Sequence, residues 1–260
     1  HNCKQQHYQR YYPSHSISPT HSYIIEQMKT VSRLITYLAP THYDLSITID
    51  RPKRALHGTV AIHGLVKNEN ELRIHAKDLS IESLHVNGAS AEWQQAENDE
   101  LVIMFQGLLD SECVITIGYS AKITDQMHGV YPCYFEHNGV KKELIATQFE
   151  SHHAREAFPC VDEPEAKATF DVTLTTEQGV EVLGNMPVKS QGAENEQLVT
   201  TFDRTPRMSS YLLAWVVGEL HKKSATTKGG VEVNVWATPA QPAESLDFAL
   251  DIVTRTIDFF

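Results

Sequence analysis

From Tyr43 onward the chain alternates apolar and polar positions, with Tyr43, Leu45, Ile47 and Ile49 set against Asp44, Ser46, Thr48 and Asp50. A period of two sends the first set to one side of a strand and the second to the other, so one face is buried and one is wet. Arg51-Pro52-Lys53-Arg54 closes this strand. Similar runs over 56–66, 72–76, 81–86, 101–105 and 114–120 follow at short intervals, divided by turn residues such as Asn87-Gly88. Runs over 172–175, 180–183, 198–202, 210–217 and 231–237 extend the series. No helix long enough to carry the chain across a parallel pair lies between them, so the pattern predicts antiparallel sheets. The expected fold is mainly β, an antiparallel sandwich.

Two breaks interrupt the pattern. Residues 1–27 are rich in His, Gln, Tyr and Ser, have no period and do not begin with Met, whereas Met28-Lys29-Thr30 reads as a natural start. They are expected to be a disordered or foreign tail outside the fold, with the β domain running over 28–222. The polar run 222–230, with its Gly229-Gly230 break, is the expected linker, placed at 223–230. Beyond it, 231–260 is expected to begin a second unit, a strand closed by Thr238-Pro239 and then a helix on which Leu246, Leu250, Val253 and Ile257 recur at helical spacing.

Composition narrows the function. With 260 residues and 41% hydrophobic content the chain can bury a core, and a formal charge of −11 argues against nucleic acid as a partner. The longest apolar run, Tyr211 to Val217, falls well short of the roughly 20 residues a membrane helix needs, and no signal peptide is read near the start. Cys3, Cys113, Cys133 and Cys160 lie far apart without a Cys-x-x-Cys pair, which fits a reducing, cytoplasmic home.

Chemistry concentrates in Thr147 to Phe170. On a strand, Gln148 and Glu150 project from one face roughly 6.6 Å apart, with Phe149 on the other. Ser151 reads as the N-cap of a helix of about two turns ended by Pro159, and Asp162-Glu163-Pro164 as a second turn. Arg155, Asp162 and Glu163 are expected to pin that turn by charge pairing. His152, His153, Glu150 and Glu156 form the densest cluster of possible ligands, with His152 and Glu156 one turn apart on such a helix, but no third ligand is fixed by spacing and they are read as exposed polar residues, with Cys160 a small core residue.

The stretch resembles the zinc aminopeptidases of the aminopeptidase N family, whose N-terminal domain carries a Thr-Gln-Phe-Glu strand, an Ala-Arg-x-Ala-Phe-Pro-Cys turn and an Asp-Glu-Pro. Asn185-Met186-Pro187 and Thr205-Pro206-Arg207-Met208-Ser209-Ser210-Tyr211-Leu212-Leu213-Ala214 continue the likeness in order. The resemblance implies a saddle-like sheet. It also implies that Gln148 and Glu150 bind the first residue of a peptide substrate and its free amine. An exopeptidase recognises a chain end by its α-amine, which ordinarily titrates near pH 8 and so is mostly cationic at neutral pH, and a carboxylate is the fitting partner.

The resemblance further implies a zinc-dependent parent enzyme, of which this chain lacks the metal site. No histidine in the sequence is followed by glutamate, so the His-Glu-x-x-His pattern is absent. The zinc ligands are expected beyond Phe260, in a catalytic domain that is the partner of this one. No residue here is expected to be catalytic or metal-ligating, and the chain alone is expected to be inactive. Gly192-Ala193-Glu194-Asn195 is read as a hairpin turn and not as a substrate loop. The alternatives are a stand-alone β-sandwich module binding peptide or carbohydrate, and a structural docking domain.

Overall fold

Strand alternation builds most of the chain. The structure, a computed structural model, describes residues 31–67, 71–105 and 111–260, all but the first two of which belong to one unit, Arg33–Phe260. The expected tail, 1–27, lies outside the described residues. The first half carries β1 (Leu38–Asp50), β2 (Ala55–Val66), β3 (Leu72–His75), β4 (Ser80–Val86), β5 (Ala89–Ser90), β6 (Glu92–Gln95), β7 (Glu100–Met104) and β8 (Glu112–Lys122). The second carries β9 (Gly129–His137), β10 (Val140–Gln148), β11 (Thr169–Glu177), β12 (Glu181–Gly184), β13 (Val188–Glu194) and β14 (Gln197–Phe202). After these come β15 (Trp215–Gly218), β16 (His221–Thr226), β17 (Glu232–Ala237) and a helix, α1 (Asp247–Phe259).

Eight strands form a sheet in the order β13-β14-β11-β1-β2-β8-β4-β5, and four form a second in the order β12-β15-β10-β9. A three-stranded sheet, β3-β7-β6, and a β16-β17 pair complete the described residues. The fold is mainly β and mostly antiparallel, as the alternation implies, with one correction. β1 and β11 pair in parallel, from His42 opposite Thr169 to Thr48 opposite Thr175. A parallel pair needs a long connection. Here it passes through the other sheets, so no crossover helix marks it in the sequence.

The inward side chains form one core. Tyr43, Ile47, Ile62, Ile115, Ile117, Phe158 and Phe170 are fully enclosed within it. Two strands carry no clear apolar period. β13 is exposed along its length at the sheet edge, and β9 contains Pro132, which an edge strand tolerates because its missing N–H would face outward. Asn87-Gly88 turns between β4 and β5 with φ of 50° and 82°, the left-handed pair that a tight hairpin needs. The turn between β13 and β14 falls on Asn195 and Glu196.

The first part of the polar run 222–230 is strand. Lys222–Thr226 lies in β16, pairing with β17 from His221 opposite Ala237 to Thr226 opposite Glu232. Cross-strand pairing satisfies a polar segment's backbone as well as an apolar one's. The hairpin hydrogen-bonds to no other sheet among the described residues, and α1 contacts its two strands. No described helix is long and apolar enough to cross a membrane.

Candidate functional site

Gln148 ends β10 and Glu150 lies two residues on; both are exposed, and Phe149 between them is buried. The alternation read from the sequence therefore holds across the strand end. Phe149 meets Phe158 and Trp215 edge-on, with ring centroids 6.3 and 5.3 Å away. Phe158 meets Tyr43 edge-on at 6.2 Å, and Tyr43 stacks on Phe170 at 4.8 Å. Such contacts contribute about 0.5–1.5 kcal/mol each beyond area burial. This aromatic relay fixes the backbone from which Gln148 and Glu150 project. Neither side chain has a hydrogen-bond or ion-pair partner among the described residues, so both polar ends are available to a ligand.

The following segment differs from the expected helix. Only Ala154–Glu156 is helical, a single 3-10 turn, and the residue before it is His153, whose side chain caps nothing. The Ser151 hydroxyl instead contacts His152 Nδ1 at 2.7 Å. The chain must straighten at once because Cys160 pairs with His75 through two backbone hydrogen bonds of 2.7 and 3.0 Å at the edge of β3.

A buried charge pair fastens the turn. Arg155 donates from its backbone N–H and from Nε to Asp162 Oδ2, each at 3.2 Å, and from Nη2 to the Asp162 carbonyl at 3.1 Å. Asp162 Oδ1 accepts from the Ser210 hydroxyl at 2.6 Å, and the Asp162 N–H donates to His75 Nδ1 at 3.1 Å. Burial, with the Arg155 cation and His152 nearby, pushes the His75 imidazole down to about 3. The ring is thus neutral and its Nδ1 is free to accept. Glu163 belongs to a different contact, accepting from Leu34 N–H at 2.6 Å and Arg33 Nε at 3.2 Å.

The second motif serves the first. Thr205 Oγ1 accepts from Phe170 N–H at 2.9 Å, Ser209 donates to the Pro164 carbonyl at 2.6 Å, and Ser210 reaches Asp162. The apolar run predicts one strand over 210–217, but Ser210–Leu212 is a 3-10 turn and only Trp215–Gly218 is strand. The buried serine hydroxyls set this local geometry.

His153, not His152, joins Glu156. His153 Nδ1 lies 3.0 Å from Glu156 Oε1, His128 Nδ1 2.7 Å from Oε2, and Lys77 Nζ donates to Oε1 at 2.9 Å. Burial pushes the Glu156 carboxyl up, but hydrogen bonds from His153, Lys77 and His128 outweigh it and hold the group below its ordinary value. Glu156 packs against Gly129, which pairs with Gln148 in the β9–β10 ladder. A cavity of about 560 Å³ opens beside it, lined by His128 and Glu156 among others; neither Gln148 nor Glu150 lines it. Sequence reasoning misses His75 and His128, and finds Thr205 and Ser210 only as part of a motif without their partners Phe170 and Asp162, because each acts across tens of residues. Cys160 is fully enclosed, and burial pushes its thiol well up, so it stays protonated.

α1 carries no histidine and no histidine in the chain precedes a glutamate, so the sequence holds no His-Glu-x-x-His pattern. The geometry defines instead a β domain that presents an exposed amide and carboxylate on a clamped turn. Residues 39–212 match the peptidase M1 N-terminal domain, and the chain belongs to that family. It is 48% identical over 236 residues to an aminopeptidase N of Lactococcus lactis subsp. lactis, covering 89% of this chain and 27% of the relative. Aminopeptidase N of Lactobacillus helveticus is 44% identical over 235 residues, 88% of this chain and 27% of its own. The puromycin-sensitive aminopeptidase of Caenorhabditis elegans is 36% identical over 240 residues, 88% of this chain and 25% of its own. The chain thus spans about a quarter of the length of these relatives.

Proposed function

We propose that this chain is the N-terminal part of a zinc-dependent aminopeptidase that removes N-terminal residues from peptides, and that Gln148 and Glu150 hold the substrate's first residue and its ammonium group. The observation that carries this reading is the pair itself. Two polar side chains without protein partners among the described residues stand exposed on a backbone locked by Phe149, on an open surface that a further domain would wall into a pocket. A carboxylate discriminates a cationic chain end from a neutral chain interior, and an amide positions the first residue without adding charge. In this reading 28–222 is the N-terminal β domain and 231–260 begins the catalytic domain, whose zinc ligands lie beyond Phe260. The exposed Phe248, Ile252, Val253 and Ile257 of α1 support it, because an apolar helical stripe left in water fits a face that packs on more protein. The free thiols of Cys113, Cys133 and Cys160 support a cytoplasmic setting.

The test is Glu150→Gln in the full-length enzyme. A charge-assisted hydrogen bond to an ammonium contributes about 1.5–3 kcal/mol, so kcat/KM on free-amine peptides should fall roughly ten- to a hundredfold, with zinc content and Tm unchanged. Residual cleavage of an N-acetylated peptide, which lacks the cation, should be no worse in the variant than in wild type. Equal turnover of free-amine peptides by both enzymes would overturn the assignment.

A further inference from the structure

The solvent face of the eight-stranded sheet gathers a second set of functional groups, on strands that do not carry Gln148. Tyr43 and Leu45 of β1 point into the core, so His42 and Asp44 point outward. His42 stands opposite His63 across the antiparallel β1–β2 pair, and Asp44 opposite Asp171 across the parallel β1–β11 pair. Three adjacent strands thus deliver two imidazoles and two carboxylates to one patch.

The ligating atoms converge. His42 Nε2 lies 3.1 Å from Asp44 Oδ1 and 3.5 Å from Asp171 Oδ2, and His63 Nε2 lies 2.8 Å from Asp44 Oδ2. The donor atoms of His42, Asp44 and Asp171 all fall within 4.8 Å of one another. Ligands bonded at about 2.0–2.2 Å around a tetrahedral cation sit roughly 3.3–3.6 Å apart, so small side-chain adjustments close the His42, Asp44 and Asp171 set, while His63, which meets Asp44 alone, has further to turn. The neighbours of His42 suit this use. Its Nδ1 is 2.8 Å from Thr169 Oγ1, which is itself 3.5 Å from the Thr41 carbonyl. With the proton on Nδ1, His42 donates to Thr169, Thr169 donates onward to Thr41, and the Nε2 lone pair faces the carboxylates. A ligating histidine is held in this way by the hydrogen bond of its other nitrogen.

We propose that His42, Asp44 and Asp171, whose ligating atoms already converge, bind one divalent transition-metal cation, with His63 joining from beside Asp44. Imidazole with carboxylate is a donor set for Zn²⁺ and its neighbours rather than for Mg²⁺ or Ca²⁺. Arg204 donates to both oxygens of Asp171, at 2.9 and 2.6 Å, which makes Asp171 the weakest of the four. An open cavity of about 360 Å³ lined by His42, His63 and Arg204 gives an ion access. The other three-donor cluster among the described residues, His128, His153 and Glu156, offers a single carboxylate, which the Lys77 ammonium already contacts, against two carboxylates here, of which Asp44 holds no Lys or Arg ion pair. The site would hold β1, β2 and β11 together, and it would revise the sequence expectation that this chain carries no metal ligand.

The experiment titrates the full 260-residue chain with Zn²⁺ by calorimetry, in a background with His1, His7, His15 and His21 changed to alanine so that those histidines take up no cation. One equivalent should bind and raise Tm. His42→Ala, His63→Ala and Asp44→Asn should each weaken binding tenfold or more and reduce the Tm rise. Thr169→Val should weaken binding about tenfold by releasing the ring, and His153→Ala should change nothing. Asp44→Asn is isosteric on the solvent face, and circular dichroism verifies that each variant is folded. Absence of binding, unchanged affinity in folded Asp44→Asn and His42→Ala, or loss of binding in His153→Ala instead would each overturn the proposal.

Discussion

Ser210 donates its hydroxyl proton to Asp162 Oδ1 at 2.6 Å across 48 residues of chain, joining the two family motifs inside the core. The other oxygen of Asp162 holds Arg155, so one carboxylate ties the Ala154–Glu156 turn to the strand that follows Ser210. Recognition at Gln148 and Glu150 rests on this fastening, since Phe149 packs on Phe158 from the turn and on Trp215 from that strand.

Asp162→Ala should therefore be severe. It leaves the Arg155 guanidinium, with only 11% of its side chain exposed, without its buried partner. Removing one member of a buried pair costs about 3–5 kcal/mol. Ser210→Ala, which withdraws one hydrogen bond to the same carboxylate, should cost about 1.5–3 kcal/mol. Urea unfolding monitored by fluorescence measures both; a loss below about 1 kcal/mol for Asp162→Ala would contradict this account.

Gly129→Ala should destabilise the β9 entry by about 1–3 kcal/mol. Gly129 has φ +66°, and a Cβ there would sit 2.9 Å from Glu156 Oε2, so both the backbone and the carboxylate would have to move. Gly139, with φ +75° and nothing near a built Cβ, is the control and should cost only the backbone term, about 1–2 kcal/mol. Equal losses at the two positions would show that the Glu156 contact does not matter.

Stability should decline as the medium is acidified below pH 6.5. His75 is neutral in the fold, its value pushed down from 6.5 to about 3 by burial and by the Arg155 and His152 charges. The unfolded chain takes up a proton below 6.5 and the folded chain does not until about 3. The stabilisation is thus complete above pH 6.5 and is lost as pH falls through that window, at up to about 1.4 kcal/mol per pH unit. His75→Gln keeps an acceptor for the Asp162 N–H but cannot titrate. Subtracting its unfolding free energy from that of wild type, pH by pH, should isolate this slope, and a flat difference would refute it.

The 260-residue chain by itself should show no aminopeptidase activity on aminoacyl chromogenic substrates, with or without added zinc, because it has no His-Glu-x-x-His ligand and base set. Turnover that a chelator abolishes would contradict this, and its loss in His42→Ala would trace it to the His42 cluster.

Features that depend only on neighbours along the chain were legible in the sequence. Alternation from Tyr43 to Asp50 set β1 and its buried face, Asn87-Gly88 set a hairpin, and the Gln148-Phe149-Glu150 triplet set which two side chains face outward. Each of these follows from a period of two or from local φ preferences. Other features exist only once the strands have assembled. The parallel β1–β11 pair, the neutral His75, the Asp162–Ser210 clasp and the meeting of His42 with His63, Asp44 and Asp171 all join residues on separate strands or loops. A polar residue on the wet face of a strand has the same local pattern whatever stands on the next strand. Register and sheet order are set by how the whole core packs, so no local period encodes which polar side chains become neighbours.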